Sequence, residues 1–124
     1  MLSSEKLVAF VSTTNADRAR AFYRDTLGLR LASEDGFALV FDSGGAPLRV
    51  ALAKEVKPAP YTVLAWDVKD IRATVLELKK AGVTFEIFGF FKQDDLGIWT
   101  APDGSQVAWF KDPEGNILGV AQHA

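Results

Sequence analysis

The chain repeats itself. Lys6 to Ser12 alternates between two faces, Thr14-Asn15-Ala16-Asp17 follows as a capping signal, Ala19, Phe22, Tyr23 and Leu27 make an apolar stripe, and Gly28 comes next. From Tyr61 the order starts over. A strand-like run reaches Asp67, Asp67 to Asp70 supplies a helix start, Ile71, Val75 and Leu78 form the stripe, and Gly82 closes it. Period-two alternation marks strands, i, i+3, i+4 spacing marks helices, and a left-handed glycine ends a helix. After Gly28 three further strands are predicted: Leu29 to Ser33, Phe37 to Asp42 and Leu48 to Ala53, with turns at Asp35-Gly36 and Ser43-Gly44-Gly45. After Gly82, Val83-Thr84-Phe85 matches Leu29-Arg30-Leu31, Trp99 lies in a strand, Asp103-Gly104 turns, and a last hairpin follows. The fold class is therefore α+β. Two βαβββ modules, about 1–56 and 57–124, are expected within one domain spanning 1–124, joined at the stiff connector Lys54 to Pro60. Their mixed sheets are expected to form a cup with the helices on the convex side.

The last hairpin sets the register. Pro113 suits the first central position of a type I turn and Gly115 the left-handed position after it, giving a three-residue loop with a G1 bulge. Asp112 then pairs with Asn116, Phe110 with Leu118 and Trp109 with Gly119. Equating Asp42-Ser43-Gly44-Gly45 with Asp112-Pro113-Glu114-Gly115 carries this register into the first module. Leu48, Val50, Leu118 and Val120 then lie beneath the helices, whereas Phe37, Leu39 and Phe41 face the concavity with Val107 and Trp109. Val8, Phe10 and Ser12 face in as well, as do Tyr61, Val63, Ala65 and Asp67.

Composition narrows the partners. A net charge of −2 leaves no basic footprint, so nucleic acid is not expected. With no cysteine there is no disulfide frame, thiolate metal site or cysteine nucleophile. No run approaches a membrane span and the first residues carry no signal-peptide pattern, so a cytoplasmic protein without a membrane partner is expected.

Asp17-Arg18-Ala19-Arg20-Ala21-Phe22-Tyr23 with Leu27-Gly28-Leu29, and Phe110-Lys111-Asp112-Pro113-Glu114-Gly115-Asn116, resemble the vicinal oxygen chelate superfamily. That superfamily includes glyoxalase I, extradiol dioxygenases and bleomycin resistance proteins. The resemblance covers nearly the whole chain and is specific for fold far more than for activity. It implies a homodimer. It also implies four inward positions that hold His, Glu or Gln ligands in metal-using members. Here those positions fall at Val8, Arg49, Val63 and Gly119, none of which can bind a cation. The single histidine, His123, is an end-of-chain residue, and Glu86, Asp94 and Asp95 lack a ligand-spacing pattern. No metal or other cofactor is expected.

The cup is instead apolar and aromatic, with Phe10, Phe37, Phe41, Tyr61, Trp99 and Trp109 as candidate walls. Each ring can equally be core. Arg49 reads either as an anchor for a carboxylate or phosphate, or as a salt-bridge partner of Asp67 or Asp42. Asp67 reads as a general base or as an N-cap. Phe88-Gly89-Phe90-Phe91 can lie over the cup or be buried in a dimer. No nucleophile–base pair, phosphate loop or dinucleotide fingerprint is present. The leading expectation is a metal-free binder of a small, partly aromatic anion. The alternatives are a glyoxalase-type lyase, isomerase or dioxygenase with other metal ligands, and a dimerisation module whose cup is filled by its own side chains.

Overall fold

In the computed structural model, which describes residues 1–124, the chain divides into two compact units, Met1–Lys57 and Pro58–Ala124. The first runs β1 (Ala9–Thr13), α1 (Ala16–Arg20), β2 (Arg30–Glu34), β3 (Ala38–Ser43) and β4 (Ala46–Leu52). Its sheet has the order β1-β4-β3-β2, with β1 parallel to β4 and the other neighbours antiparallel. Asn15 caps α1, its side-chain oxygen accepting the Arg18 N–H at 3.0 Å. The helix then widens into a π-helical turn, Ala21–Thr26, which ends where the Leu27 N–H reaches the Phe22 carbonyl at 2.9 Å. Gly28, at φ 78°, turns the chain toward β2. Ala19 and Tyr23 face the sheet, where the Tyr23 ring lies 5.7 Å from Phe41. With Val11, Leu39, Phe41, Leu48 and Val50 they form the core of this unit.

The first module departs from the expected register. Ser43 pairs with Ala46, so Gly44-Gly45 is a two-residue loop, with φ of 57° and 87°. Positive φ at both positions is what the tightest hairpin requires. In the second module Lys111 pairs with Ile117, and the Gly115 N–H bonds the Asp112 carbonyl at 3.0 Å, giving the longer loop Pro113–Gly115. A one-residue difference reverses which side chains share a face. Phe41 therefore stands opposite Leu48 and Leu39 opposite Val50, all beneath α1, with Phe41 and Leu39 at 0% exposure. Both are core, contrary to the inward, ligand-facing place that the repeat led us to expect for Phe41. Phe37 precedes β3 at the hairpin tip, its N–H bonded to Asp35 Oδ1 at 2.8 Å and its ring exposed.

The second unit repeats the topology with β5 (Thr62–Asp67), α2 (Ile71–Lys80), β6 (Trp99–Thr100), β7 (Gln106–Lys111) and β8 (Ile117–Gln122). Its order is β5-β8-β7-β6, and β5 is parallel to β8. The cap of α2 is Asp70, which accepts the Ala73 N–H at 3.1 Å, so Asp67 does not serve as the cap. Ile71 and Val75 on α2 are buried with Leu118, Val120, Ala108 and Phe110, and Trp66 stacks on Phe110 at 6.5 Å. Phe110 faces Leu118 and Trp109 faces Gly119, as the final hairpin predicts. Asp112 holds that hairpin: its carboxylate accepts the N–H groups of Glu114 and Asn116 and the Asn116 side-chain amide, at 3.0, 2.9 and 2.9 Å.

The edge strand that β2 forms in the first unit comes here in two pieces. Phe85 bridges to Phe110, and Trp99–Thr100 pair with Gln106 and Val107. The residues between them fold back over the sheet. No helix is long and apolar enough to cross a membrane.

Candidate functional site

Each sheet is covered on one face by its helix, so the candidate residues stand on the other face of each unit. In the first unit Phe10, Arg49 and Val40 form one cross-strand row. Phe10 is exposed and Arg49 partly buried. The Arg49 guanidinium makes no ion pair or hydrogen bond within the chain. Both carboxylates expected to pair with it are engaged elsewhere: Asp42 lies 3.9 Å from Arg30, and Asp67 lies 3.0 Å from His123. Asp35, at the β2–β3 turn, is held below the usual carboxylate range by the N–H groups of Phe37 and Ala38, and the Arg49 charge adds to this. The face thus carries an apolar row with a single cation set into it.

In the second unit Ala65, Gly119 and Trp109 form the corresponding row, and Val107 and Trp99 pair beside it. Gly119 leaves little room: a Cβ there would meet the Ala108 carbonyl oxygen at 3.3 Å and Trp109 Cδ1 at 3.6 Å. The Trp109 indole Nε1–H donates to Thr62 Oγ1 at 3.0 Å. Thr62 reaches it because β5 bulges between Thr62 and Leu64. The same bulge breaks the simple alternation, and it brings Thr62 rather than Val63 to Gly119. Tyr61 lies ahead of β5 and is exposed.

Aromatic rings pave this face. Phe91 lies nearly parallel to Trp109, with centroids 5.1 Å apart and planes 7° apart, and sits 4.8 Å from Trp99. Trp99 and Trp109 are themselves 6.2 Å apart, and Phe88 meets Trp109 edge-on at 5.5 Å. Gln93 pins the base of the loop that delivers Phe88 and Phe91. Its side chain accepts the Phe88 N–H at 2.7 Å and donates to the Glu86 and Gly97 carbonyls at 2.9 and 2.8 Å.

Of the residues expected to bind a ligand, Phe10 and Arg49 therefore share the open face of the first sheet, and Trp99 and Trp109 that of the second. Phe41 is core, while Phe37 and Tyr61 stand at strand ends. Asp67 ends β5 and pairs with His123, whose partner the sequence did not suggest. Thr62 was missed, since a bulge leaves no mark in period-two alternation. Phe88 and Phe91 were legible as a possible cover, but their seat on Trp109 was not.

Residues 7–120 match the family model described as the Glyoxalase/Bleomycin resistance protein/Dioxygenase superfamily. The chain belongs to this superfamily. Solved structures of similar fold agree. A member of the superfamily from Sphaerobacter thermophilus DSM 20745 aligns with a TM-score of 0.75 at 21% identity, over 99% of this chain and 100% of that one. A glyoxalase family protein from Enterococcus faecalis gives 0.71 at 20%, over 98% and 99%. A lactoylglutathione lyase from Agrobacterium tumefaciens gives 0.70 at 23%, over 96% and 93%. These likenesses concern the fold. No curated protein matches the chain.

Metal-using members of this superfamily need oxygen or nitrogen donors on the open strand faces, and the residues present do not fit that role. Register sets Phe10, not Val8, beside Arg49, and Ala65 beside Gly119, so these seats offer two apolar side chains, a cation and a hydrogen. No three or more His, Cys, Asp or Glu side chains come together anywhere in the chain.

Proposed function

We propose that this member of the superfamily binds a small, partly aromatic anion and works without a metal. The observation that carries the reading is Arg49. A partly buried guanidinium with no ion pair or hydrogen bond, feeling only the field of Asp35 and flanked by Phe10 and Val40, is an unfavourable arrangement for the chain alone. A carboxylate or phosphate removes that cost through a forked, charge-assisted pair. Exposed aromatic surface at Phe10, beside Arg49 in the same cross-strand row, suits a ligand with a ring. The mechanism is capture without turnover. Burial and stacking supply affinity, and Arg49 fixes orientation. Assembly as a homodimer in the cytoplasm belongs to the same proposal.

A thermal-shift screen against aromatic acids and antibiotics tests it. Ligands are expected that raise the melting temperature of the wild type more than that of Arg49→Ala. If every hit stabilises both proteins equally, the anchor is lost and the reading with it. Elemental analysis of untagged protein purified without chelator is the second arm. Stoichiometric zinc, nickel or iron would replace this proposal with a glyoxalase-type enzyme using other ligands.

A further inference from the structure

We infer that the face of Trp109 covered by Phe91 is the seat of a flat aromatic ring, and that Phe91 occupies it until such a ring displaces it. The inference rests on reading the open strand faces as binding surfaces, and it names what the second sheet selects. The seat itself is built. Gly119 keeps the position opposite Trp109 free of a side chain, and the Thr62 hydroxyl fixes the indole through Nε1. Trp99 supplies a second wall 6.2 Å away. A ring at this site meets Trp109 face to face, as Phe91 does with 7° between the planes.

The occupant is held differently from its seat. Gln93 clamps the loop at Phe88, Glu86 and Gly97, so the base stays put. Beyond that clamp, Gly89 has nothing within 4 Å of where a Cβ would stand, and Phe90 is 80% exposed. The Phe91 N–H bonds the Phe88 carbonyl at 3.0 Å, a contact within the loop that moves with it. Phe91 is thus held on the sheet by ring contacts with Trp109 and Trp99, with Phe88 and Phe90 of its own loop beside it. A ligand ring that takes its place remakes those contacts, so exchange is close to balanced. The resident ring lowers apparent affinity by the fraction of time it holds the seat. A puckered, saturated ring gives no matching stack.

The test uses full-length protein labelled with 5-fluorotryptophan, whose three indoles at Trp66, Trp99 and Trp109 give separate fluorine signals. The Trp109 signal is assigned with Trp109→Phe. The probe is 2-naphthol, planar and uncharged at neutral pH, so Arg49 takes no part. Its saturated counterpart, decahydro-2-naphthol, is the control. The Trp99 and Trp109 signals should move on titration while Trp66, stacked on Phe110 beneath α2, stays still. Phe91→Ala should bind 2-naphthol roughly three- to tenfold tighter than wild type, the range one aromatic pair supplies. Phe91→Leu, which keeps most of the bulk, should also bind more tightly and covers the case in which the alanine variant does not fold. The inference is overturned if both variants bind equally or more weakly than wild type, if none of the proteins binds, or if decahydro-2-naphthol binds as well. A negative Arg49→Ala screen beside a positive 2-naphthol titration removes the anion and keeps the seat. The reverse pattern removes the seat alone.

Discussion

Trp109 lies directly across from Gly119, and its indole nitrogen is bonded to Thr62 at 3.0 Å. The largest side chain of β7 thus faces the smallest of β8, and a hydroxyl from β5 fixes its orientation. Thr62→Val keeps the shape and removes the acceptor from a mostly buried indole. It should cost about 1–2 kcal/mol, read from the chemical-denaturation midpoint. An unchanged midpoint would mean that the bulge, not the bond, positions Thr62.

Phe41 and Phe10 should behave as opposites. Phe41 is fully buried against Tyr23, and Phe41→Ala should cost about 3–5 kcal/mol. Phe10 is 61% exposed, so Phe10→Ala should stay within about 0.5 kcal/mol while weakening aromatic ligands. Equal losses of stability would contradict the faces assigned to β1 and β3.

Arg49→Met separates function from folding. Removing an unpaired, partly buried charge while keeping its apolar stem should leave stability unchanged or raise it slightly. Affinity for an aromatic carboxylate should fall about tenfold or more, as loss of a charge-assisted pair implies. Calorimetry with the wild type and the variant reads both effects.

Acid should destabilise the fold. Glu34 is held below its ordinary value by Arg20, Asp25 by Arg24, Asp35 by backbone N–H groups and Asp103 by the Ser105 N–H and hydroxyl. Each is a carboxyl whose folded pKa lies below its unfolded one. The stabilisation is therefore complete above the unfolded values of 3.8 and 4.5 and is lost as pH falls through the lower folded values. Melting temperature should be flat near neutrality and drop below about pH 4.5. Glu34→Gln should soften that acid limb, although solvent screening keeps its share small.

The buried Asp112 carboxylate accepts three hydrogen bonds across the hairpin loop, so Asp112→Ala removes their acceptor and should cost about 1–3 kcal/mol. A melt within error of wild type would show that Pro113 and Gly115 suffice to set the turn.

Much of this architecture was legible before any coordinates. The βαβββ repeat, the glycines that end both helices and the pairing of Trp109 with Gly119 follow from propensity, caps and turn chemistry acting locally. What was misread depended on a single residue of length. The first hairpin loop looked equivalent to Pro113–Gly115, and the faces of Phe41 and Leu39 came out inverted. The β5 bulge hid Thr62 in the same way, since alternation counts residues and cannot register an extra one. Arg49 stood out in the sequence because a charge in an apolar row is rare. That Arg30 pairs with Asp42 and His123 with Asp67, the two carboxylates considered for Arg49, was not legible in the sequence.

Gly44 and Gly45 make a turn one residue shorter than its counterpart without disturbing the strands on either side. Strand for strand the halves stay in phase: Phe41 opposite Leu48 matches Phe110 opposite Leu118, and Val40 opposite Arg49 matches Trp109 opposite Gly119. A graft of Pro113–Gly115 in place of Gly44-Gly45 would keep Ser43 opposite Ala46, as Asp112 is opposite Asn116, and leave Leu39 and Phe41 beneath the helix. The two hairpins are therefore interchangeable parts, and a residue can be gained or lost at this turn without rewriting either strand.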